Sequence, residues 1–429
     1  MSRLGAARQT SYATNIAWLL RYRGAFGSNI YAIFWPVYLT RDLRMSVPDA
    51  LEIISLAIIL SLVLEVPTGW IADRCDRRAT LLAGMVLSML GVGMYATATR
   101  LGPYLFAAIV IDHVGGGLAS GPDTALATDT SHAIGKDQWG DVFRRYAEKR
   151  VDYNAIGRGI GGLIGAGAAI GAGLRATLWA QVAAYGLAFL CAWRVKTPPR
   201  HDEKVAHLGR VASGLLGHRR LLAVIGFSGA IGGLLIYSYW FLSLYCAQVR
   251  VGRTPLPLGW FGVIWSVFMI SPWLFNRYCR AWFLQHFERY NLRSLLGLTL
   301  VAVVSMVVAG SWVSVAGLAA ILGIYFVNAL QRPIMDIAMM RLANPAERAT
   351  ISSAGQFAML AIAAGFSLVT NVMTRAYSFG ISLIGIGLLC GLIAVTSLAV
   401  MAIPERQPAT RDTGAFVPLR QDHVHDKQQ

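Results

Sequence analysis

Several ionisable side chains stand inside long apolar stretches of this sequence, where a charge is costly to keep. Asp112 and His113 lie near the centre of one stretch, and Glu65, Asp123 and Arg158 lie within or at the end of others. A charged group at bilayer depth must be paired, neutralised or hydrated, which makes it a candidate functional residue by default. We therefore consider these five residues as candidates for proton coupling or solute contact, with structural ion pairing as the alternative.

The ion-pair alternative can be stated residue by residue. Asp123 and Arg158 are expected at similar depth in successive stretches, so a pair between them is predicted. Glu65 is expected to pair structurally near the end of its stretch. Arg332 and Asp336 are four residues apart and can satisfy each other on one helical face.

The composition indicates that these stretches are membrane spans. The chain of 429 residues is 55% hydrophobic and only 14% charged, whereas soluble domains are about 25% charged. A span needs roughly 20 apolar residues, so the chain has room for about twelve with short loops. The predicted spans cover residues 17–39, 50–72, 80–99, 103–127, 152–173, 176–195, 221–245, 257–276, 294–312, 314–338, 354–374 and 379–402.

The polar segments between the spans predict the domain organisation. Residues 196–220 divide the chain near its midpoint, which predicts an N-terminal six-helix bundle over 1–195 and a C-terminal one over 221–403. The segment 196–220 is the predicted cytoplasmic linker, and residues 404–429 are predicted to form a disordered cytoplasmic tail. No cleavable signal peptide is expected, because the first apolar run is too long and has no small-residue cleavage site.

The loop charges predict the orientation. The great majority of the 38 Lys and Arg residues fall in loops on one side of the predicted membrane. The opposite loops hold Arg41, Arg44, Arg100, Arg175, Arg250, Arg253 and Arg375. Because Lys and Arg accumulate in cytoplasmic loops, both termini are predicted to be cytoplasmic, in an inner plasma membrane. The net charge of +16 follows this topology, so no nucleic-acid partner is predicted.

A short motif follows the second span. It reads Gly69-Trp70-Ile71-Ala72-Asp73-Arg74-Cys75-Asp76-Arg77-Arg78. A glycine, an acid four residues later and then a basic pair resemble the loop between helices two and three of the major facilitator superfamily. The resemblance implies a conformational latch made of Gly69, Asp73, Arg74, Arg77 and Arg78.

The latch residues have simple expected roles. Gly69 would let a neighbouring helix approach closely. Arg77 and Arg78 would reach carboxylates or helix C-termini across the interface between the halves. The family usually has glycine where this chain has Asp76, so a left-handed turn with some strain is expected there.

Other segments extend the resemblance along the chain. Residues 65–69, 120–129 and 344–352 resemble a bacterial subset of the family. Two features typical of drug–proton antiporters are missing. The fourth span has Asp112 and lacks the expected arginine, and the fifth span is rich in glycine but has no proline.

The resemblance implies an all-α integral membrane fold of twelve transmembrane helices in two six-helix bundles around a central cavity. In this family, spans one, seven and ten border the cavity, so their aromatic and polar side chains are the expected lining. The candidates are Tyr31, Phe34, Trp35, Tyr237, Tyr239, Trp240, Asn328, Gln331 and Arg332.

The expected function is secondary active transport of a small organic solute by alternating access, through proton-coupled efflux. Coupled uptake of a metabolite is the main alternative, and a membrane enzyme or a non-transporting sensor on the same fold are lesser ones. The expected partners are the solute, protons and the lipid bilayer, and the chain is expected to be a monomer. We predict no catalytic site, cofactor or metal, since the five cysteines are scattered without metal-like spacing.

Overall fold

The computed structural model describes residues 3–134, 139–199, 218–279, 292–342 and 348–403. The predicted tail and most of the predicted linker lie outside these residues. The N-terminal half contains α1 (Arg3–Phe26), α2 (Trp35–Arg41), α3 (Val47–Arg74), α4 (Arg77–Thr97), α5 (Pro103–Ser120), α6 (Pro122–Ile134), α7 (Trp139–Ala172) and α8 (Leu174–Trp193). The C-terminal half contains α9 (Arg219–Gln248), β1 (Arg250–Val251), β2 (Thr254–Pro255), α10 (Leu258–Tyr278), α11 (Leu292–Ser311), α12 (Val315–Leu342), α13 (Arg348–Ala376) and α14 (Phe379–Ala402).

The helices have the length and composition of membrane spans. Within the described residues, eleven helical segments are long and apolar enough to cross a membrane. One of them combines α5 and α6, which are separated by a bend at Gly121 ahead of Pro122. The first predicted span is formed by α1 and α2 together and accounts for the twelfth.

The expectation of one continuous helix over residues 17–39 was wrong. The chain leaves the helix after Phe26 and resumes at Trp35. Asn29 has a φ of 46°, a left-handed conformation that asparagine tolerates better than most residues. Pro36 lies in the first turn of α2, where its missing N–H costs no hydrogen bond.

The two six-helix bundles meet along two long helix pairs. The helix α7 packs against α10, and α3 packs against α13, while the short α2 packs against α9. The remaining extensive packing is within each bundle, for example α4 with α5 and α11 with α14. Movement of one bundle against the other must therefore take place at α7–α10 and α3–α13.

Glycines make the α7–α10 contact close. A Cβ atom on Gly162 would meet the carbonyl oxygen of Gly262 at 2.6 Å, and one on Gly262 would meet the carbonyl of Gly162. Ser266 donates a hydrogen bond across this contact to the carbonyl of Gly159 at 2.7 Å. Small residues let helix backbones approach in this way, and the glycine-rich fifth span therefore has a structural purpose.

The predicted outer side of the interface is closed. The indole rings of Trp35 and Trp240 meet edge to face across the two halves, with centroids 5.7 Å apart. Arg375 donates to the carboxylate of Glu52 at 2.8 Å, which joins α13 to the start of α3. The cavity described below lies on the opposite, predicted cytoplasmic, side of these contacts.

Candidate functional site

A cavity of about 1000 Å³ lies between the two bundles. Four helices form it, with α7 from the N-terminal half and α9, α10 and α12 from the C-terminal half. Its lining includes Glu148, Lys149, Asp152, Asn154, Arg158, Leu235, Tyr239, Phe268, Met269, Trp273, Arg277, Tyr325, Asn328 and Arg332. Most of these residues lie toward the predicted cytoplasmic ends of their helices, so the cavity opens to that side.

The mouth of the cavity has a polar bridge between the halves. Asp152 on α7 accepts hydrogen bonds from Trp273 Nε1 at 2.7 Å and from Arg277 at 3.1 Å, both on α10. Arg277 is half exposed and Asp152 is 28% exposed, so water screens this ion pair. The positive charge of Arg277 is nevertheless matched by a carboxylate.

A second arginine of the cavity is paired along its own helix. Arg332 Nε lies 3.2 and 3.3 Å from the two carboxylate oxygens of Asp336, one turn further along α12. This confirms the local pair predicted from their four-residue spacing. Arg332 also directs its Nη1 at the sulfur of Met359, 2.9 Å away.

Arg158 differs from the other two cavity arginines. No carboxylate of the described residues forms an ion pair with it; its one hydrogen bond there goes from Nη1 to the hydroxyl of Tyr239 at 3.5 Å. The guanidinium lies 5.6 Å from the centre of the Tyr239 ring. Its Nε is buried and has no hydrogen-bond partner within the same part of the chain. The side chain is held by one weak hydrogen bond and a cation–π contact.

Aromatic rings surround the deep end of the cavity, away from its mouth. Tyr239 meets Trp265 and Tyr325 edge to face, with centroids 5.7 and 5.5 Å apart. Phe268 meets Tyr325 in the same way at 4.9 Å. This group offers apolar ring surface next to the charge of Arg158.

The predicted pair between Asp123 and Arg158 is absent, and the prediction was wrong. Asp123 is fully buried and lies 3.3 Å from Arg150 and 3.8 Å from Arg23. Tyr146 donates a further hydrogen bond to it at 3.1 Å. Because Arg150 lies two helical turns closer to the start of α7, it reaches the level of Asp123 and Arg158 does not.

Asp112 lies inside the N-terminal bundle and away from the cavity. Its carboxylate accepts hydrogen bonds from Tyr31 at 3.2 Å and from Tyr95 at 3.4 Å, and the residue is only 6% exposed. No basic side chain of the described residues forms an ion pair with it. The neighbouring His113 directs its Nδ1 to the carbonyl of Ile109, one turn back on α5.

Glu65 lies outside the cavity lining. The residue is exposed on α3 and forms no ion pair within the part of the chain that the structure describes. No described residue supplies the structural partner predicted for Glu65, so the pairing stays a prediction.

The loop between α3 and α4 makes its contacts within the N-terminal bundle. Arg77 forms an ion pair with Asp129 and bonds to the carbonyl of Ala125 at 3.4 Å, both on α6. Arg78 donates to the carbonyl of Trp193, the last residue of α8, at 2.6 Å. Among the residues that the structure describes, these two arginines make no contact across the half interface in this conformation.

The expectations for Gly69 and Asp76 in this loop were also wrong. A Cβ atom on Gly69 would meet nothing within 4 Å, so no described helix approaches closely there. Asp76 has an extended backbone and caps α4 by accepting from the N–H of Ala79 at 2.7 Å, so the expected left-handed strain is absent. Arg74 lies 4.0 Å over the ring of Trp70. The side chain of Asp73 lies outside the described atoms.

Comparison with known proteins agrees with this architecture. The family model of the Major Facilitator Superfamily matches residues 24–135. The structure is similar to that of the POT family transporter PepTSo, with a TM-score of 0.72 at 11% identity, over 90% of this chain and 97% of that one. A mutant of the nucleoside transporter NupG gives 0.68 at 15% identity, over 90% and 99%. No curated protein sequence matches the chain.

The chain is similar to the major facilitator superfamily over residues 24–135, and its fold is similar to that of the transporters named above. It is a multi-pass membrane protein with the twelve-helix transporter fold of that family. A third similar structure is a bacterial homologue of the human lysosomal transporter Spinster in an inward-facing, unoccupied conformation, with a TM-score of 0.65 at 12% identity, over 94% of this chain and 97% of that one.

Three of the nine expected lining residues lie in the cavity lining, namely Tyr239, Asn328 and Arg332. Two groups of the others are buried elsewhere. Tyr31, Phe34 and Trp35 pack inside the N-terminal half or against Trp240 at the closed outer side. Tyr237 bonds to Thr370 inside the C-terminal bundle, and Gln331 is fully buried beside Asn328.

Sequence reasoning missed several residues of the cavity lining. Asp152, Trp273 and Arg277 meet at its mouth, and Tyr325 and Asn154 lie further along. The predicted fifth span began at residue 152, so Asp152 was taken as the end of a span, and Asn154 was not singled out. The aromatic residues of the eighth and tenth spans were a usable signal, since Trp273 and Tyr325 stand near charged or polar residues there.

Proposed function

We propose that this protein is a secondary active transporter that carries a small organic solute through the cavity between its bundles by alternating access. The observation that supports the proposal is the cavity of about 1000 Å³, which opens on the predicted cytoplasmic side and is closed on the other by Trp35–Trp240 and Glu52–Arg375. A cavity closed at one end is what one state of such a cycle requires.

Proton coupling is proposed to pass through Asp112. Its carboxylate accepts hydrogen bonds from two tyrosine hydroxyls and forms no ion pair with a described basic side chain, so gain or loss of a proton changes the local hydrogen bonds directly. Tyr95, one of the two hydroxyl partners, packs on Trp35 with ring centroids 5.6 Å apart. Trp35 in turn meets Trp240 of the other half. This chain of contacts links the carboxyl group to the closed outer side.

Export is the direction proposed. An exported solute would enter from the cytoplasm, the side to which the cavity is predicted to open. Coupled import is the competing direction, and the experiment below separates the two by the sign of the pH gradient that drives concentration of the solute.

The proposal is tested with purified protein in liposomes, using a pH gradient and a proton-sensitive dye to screen solutes. For a solute identified in this way, Asp112→Asn should abolish uptake driven by the pH gradient while leaving exchange of solute across the membrane. Asp141→Asn is the matched control, since Asp141 is exposed at the start of α7 and pairs with Arg144. Equal pH dependence in wild type and Asp112→Asn would refute the coupling role. If Asp112→Asn does not fold, Tyr95→Phe replaces it in the experiment, because this variant keeps the carboxyl group and removes one of its two hydroxyl partners.

A further inference from the structure

The charges of the cavity are unevenly matched. Arg277 is paired with Asp152 at the mouth, and Arg332 is paired with Asp336. Arg158 lies about 9 Å deeper along α7 than Asp152, at the rise of 1.5 Å per residue of an α-helix, and has no carboxylate partner in the described parts of the chain. The deep end of the cavity therefore has an excess positive charge.

The guanidinium of Arg158 needs an ion-pair and hydrogen-bond partner. A charged group that leaves bulk water is costly unless it is paired and hydrogen-bonded. The contacts with Tyr239 meet only part of that requirement, since one hydrogen bond is long and the buried Nε has no described partner. The missing component is an anion with two acceptor oxygens, which the planar donor fork of arginine binds in a bidentate manner.

The side chains around Arg158 indicate the chemistry of the rest of the ligand. Tyr239, Tyr325 and Phe268 present ring faces and edges within the same cavity, and Leu235 and Met269 add apolar surface. Such a surface favours an apolar or aromatic body next to the anionic group. The lining also contains Glu148 and Lys149, which are opposite in charge and lie more than two helical turns nearer the mouth on α7. Arg158 is therefore the unmatched cation at the deep end, and one such charge balances a single negative charge, which favours a carboxylate over a doubly charged phosphate.

We propose that the cargo is a small organic monocarboxylate, with its carboxylate on Arg158 and its apolar or aromatic part against Tyr239, Tyr325 and Phe268. This inference rests on the proposed function, because it takes the cavity to be the solute path. The hydroxyl of Tyr239 holds Arg158 in the empty cavity and yields it to the carboxylate when the cargo binds.

Direct binding to the purified full chain in lipid nanodiscs tests the inference. The probes are three aromatic monocarboxylates, 3-phenylpropionate, indole-3-acetate and 4-hydroxybenzoate, each compared with its neutral primary amide. Wild type should bind at least one carboxylate at least about tenfold more tightly than its amide, as expected for a charge-assisted hydrogen-bonded pair. Arg158→Gln should reduce that preference to about twofold or less.

The control variants separate recognition from folding. Arg144→Gln changes an arginine on the same helix that is exposed, outside the cavity lining, and it should keep the wild-type preference. Arg158→Lys keeps the charge without the planar fork and should give an intermediate preference. Tyr239→Phe removes the hydroxyl that holds Arg158 and should keep the preference for carboxylates. If Arg158→Gln fails to fold, Arg158→Lys and Tyr239→Phe test the inference in its place.

Two results would overturn the inference. One is a wild type that binds no carboxylate of the set more tightly than its amide. The other is a folded Arg158→Gln variant that keeps the full preference. Transport measured in parallel separates this inference from the proposed function. Transport of a neutral or cationic solute without carboxylate preference refutes the inference alone, whereas Arg158-dependent binding without transport of any solute refutes the transporter proposal alone.

Discussion

In the loop between α3 and α4, Arg77 forms an ion pair with Asp129 of α6 that is mostly buried. Asp129 is 3% exposed and Arg77 is 17% exposed, and the pair joins the start of α4 to α6. At the end of the same loop Arg78 supports the last carbonyl of α8, where a cation also suits the negative end of the helix dipole. In this conformation the loop therefore braces three helices of one bundle.

Removal of the Arg77 charge should destabilise the N-terminal bundle. In Arg77→Gln, the buried carboxylate of Asp129 loses its ion pair with Arg77, so we expect a loss of about 2 kcal/mol in unfolding free energy. The measurement is denaturant or thermal unfolding of the protein in detergent. Arg74→Gln is the control, because Arg74 is exposed beside Trp70 and its loss should stay within about 0.5 kcal/mol. Equal losses in both variants would contradict the argument.

The sequence indicated which residues could form ion pairs, but often not which residues they pair with. The four-residue spacing of Arg332 and Asp336 gives their pairing, because it depends only on helix geometry. Asp123 lies on a different helix from its partners, so a position in the sequence gives its depth but not the direction of its side chain. It pairs with Arg150 and Arg23 for that reason, and Arg158 is left for the cavity.

At the scale of elements, α7 carries the contacts on which the two bundles depend. One of its faces packs on α1, where a Cβ atom on Gly157 would meet the carbonyl oxygen of Gly24. Another face packs on α10 through Gly162 and Gly262. Further toward the predicted cytoplasmic side the same helix presents Asp152 and Arg158 to the cavity. Changes of the α7–α10 contact should therefore alter the balance between conformations.

Gly162→Ala should shift that balance away from the closed outer side. The added methyl group would lie 2.5 Å from Ser266 Oγ and 2.6 Å from the carbonyl of Gly262, so the helices must separate. Overpacking of this kind costs roughly 1–3 kcal/mol, enough for about a tenfold loss of transport rate. The measurement is the initial rate of transport in liposomes.

Gly167→Ala is the matched control for this change. Gly167 lies on the same helix, and a Cβ atom there would meet nothing within 4 Å. Alanine also favours helix over glycine, so this variant should transport normally and be slightly more stable. A wild-type rate in Gly162→Ala would show that the contact does not limit the cycle.

The spans could be predicted from apolar runs, but their breaks could not. Hydropathy averages over about twenty residues, so it does not register the single left-handed residue Asn29 or the bend at Gly121. Helix α7 begins at Trp139, well before its apolar part, because a helix continues past the bilayer when polar contacts support it. Asp152 was therefore placed at the edge of a span when it belongs to the cavity mouth.

For the whole molecule, the two sides of the bundle interface are unlike. Aromatic contact and an exposed ion pair close the predicted outer side, whereas paired and unpaired charges line the open side. The ion pair Glu52–Arg375 is more than half exposed on both residues and contributes little by itself. Closure on that side rests mainly on the helix packing of α3 with α13 and of Trp35 with Trp240.

The predicted orientation can be tested with the native cysteines. Cys75 and Cys279 are exposed at the ends of α3 and α10, on the predicted cytoplasmic side, while the other three cysteines are buried. A membrane-impermeant maleimide should therefore label the native protein in inside-out vesicles and leave it unlabelled in right-side-out vesicles. Arg100→Cys in a Cys75→Ser, Cys279→Ser background places one thiol in a predicted outer loop and should reverse the pattern. Labelling of Cys75 in right-side-out vesicles would reject the predicted orientation, and with it the prediction that the cavity opens to the cytoplasm.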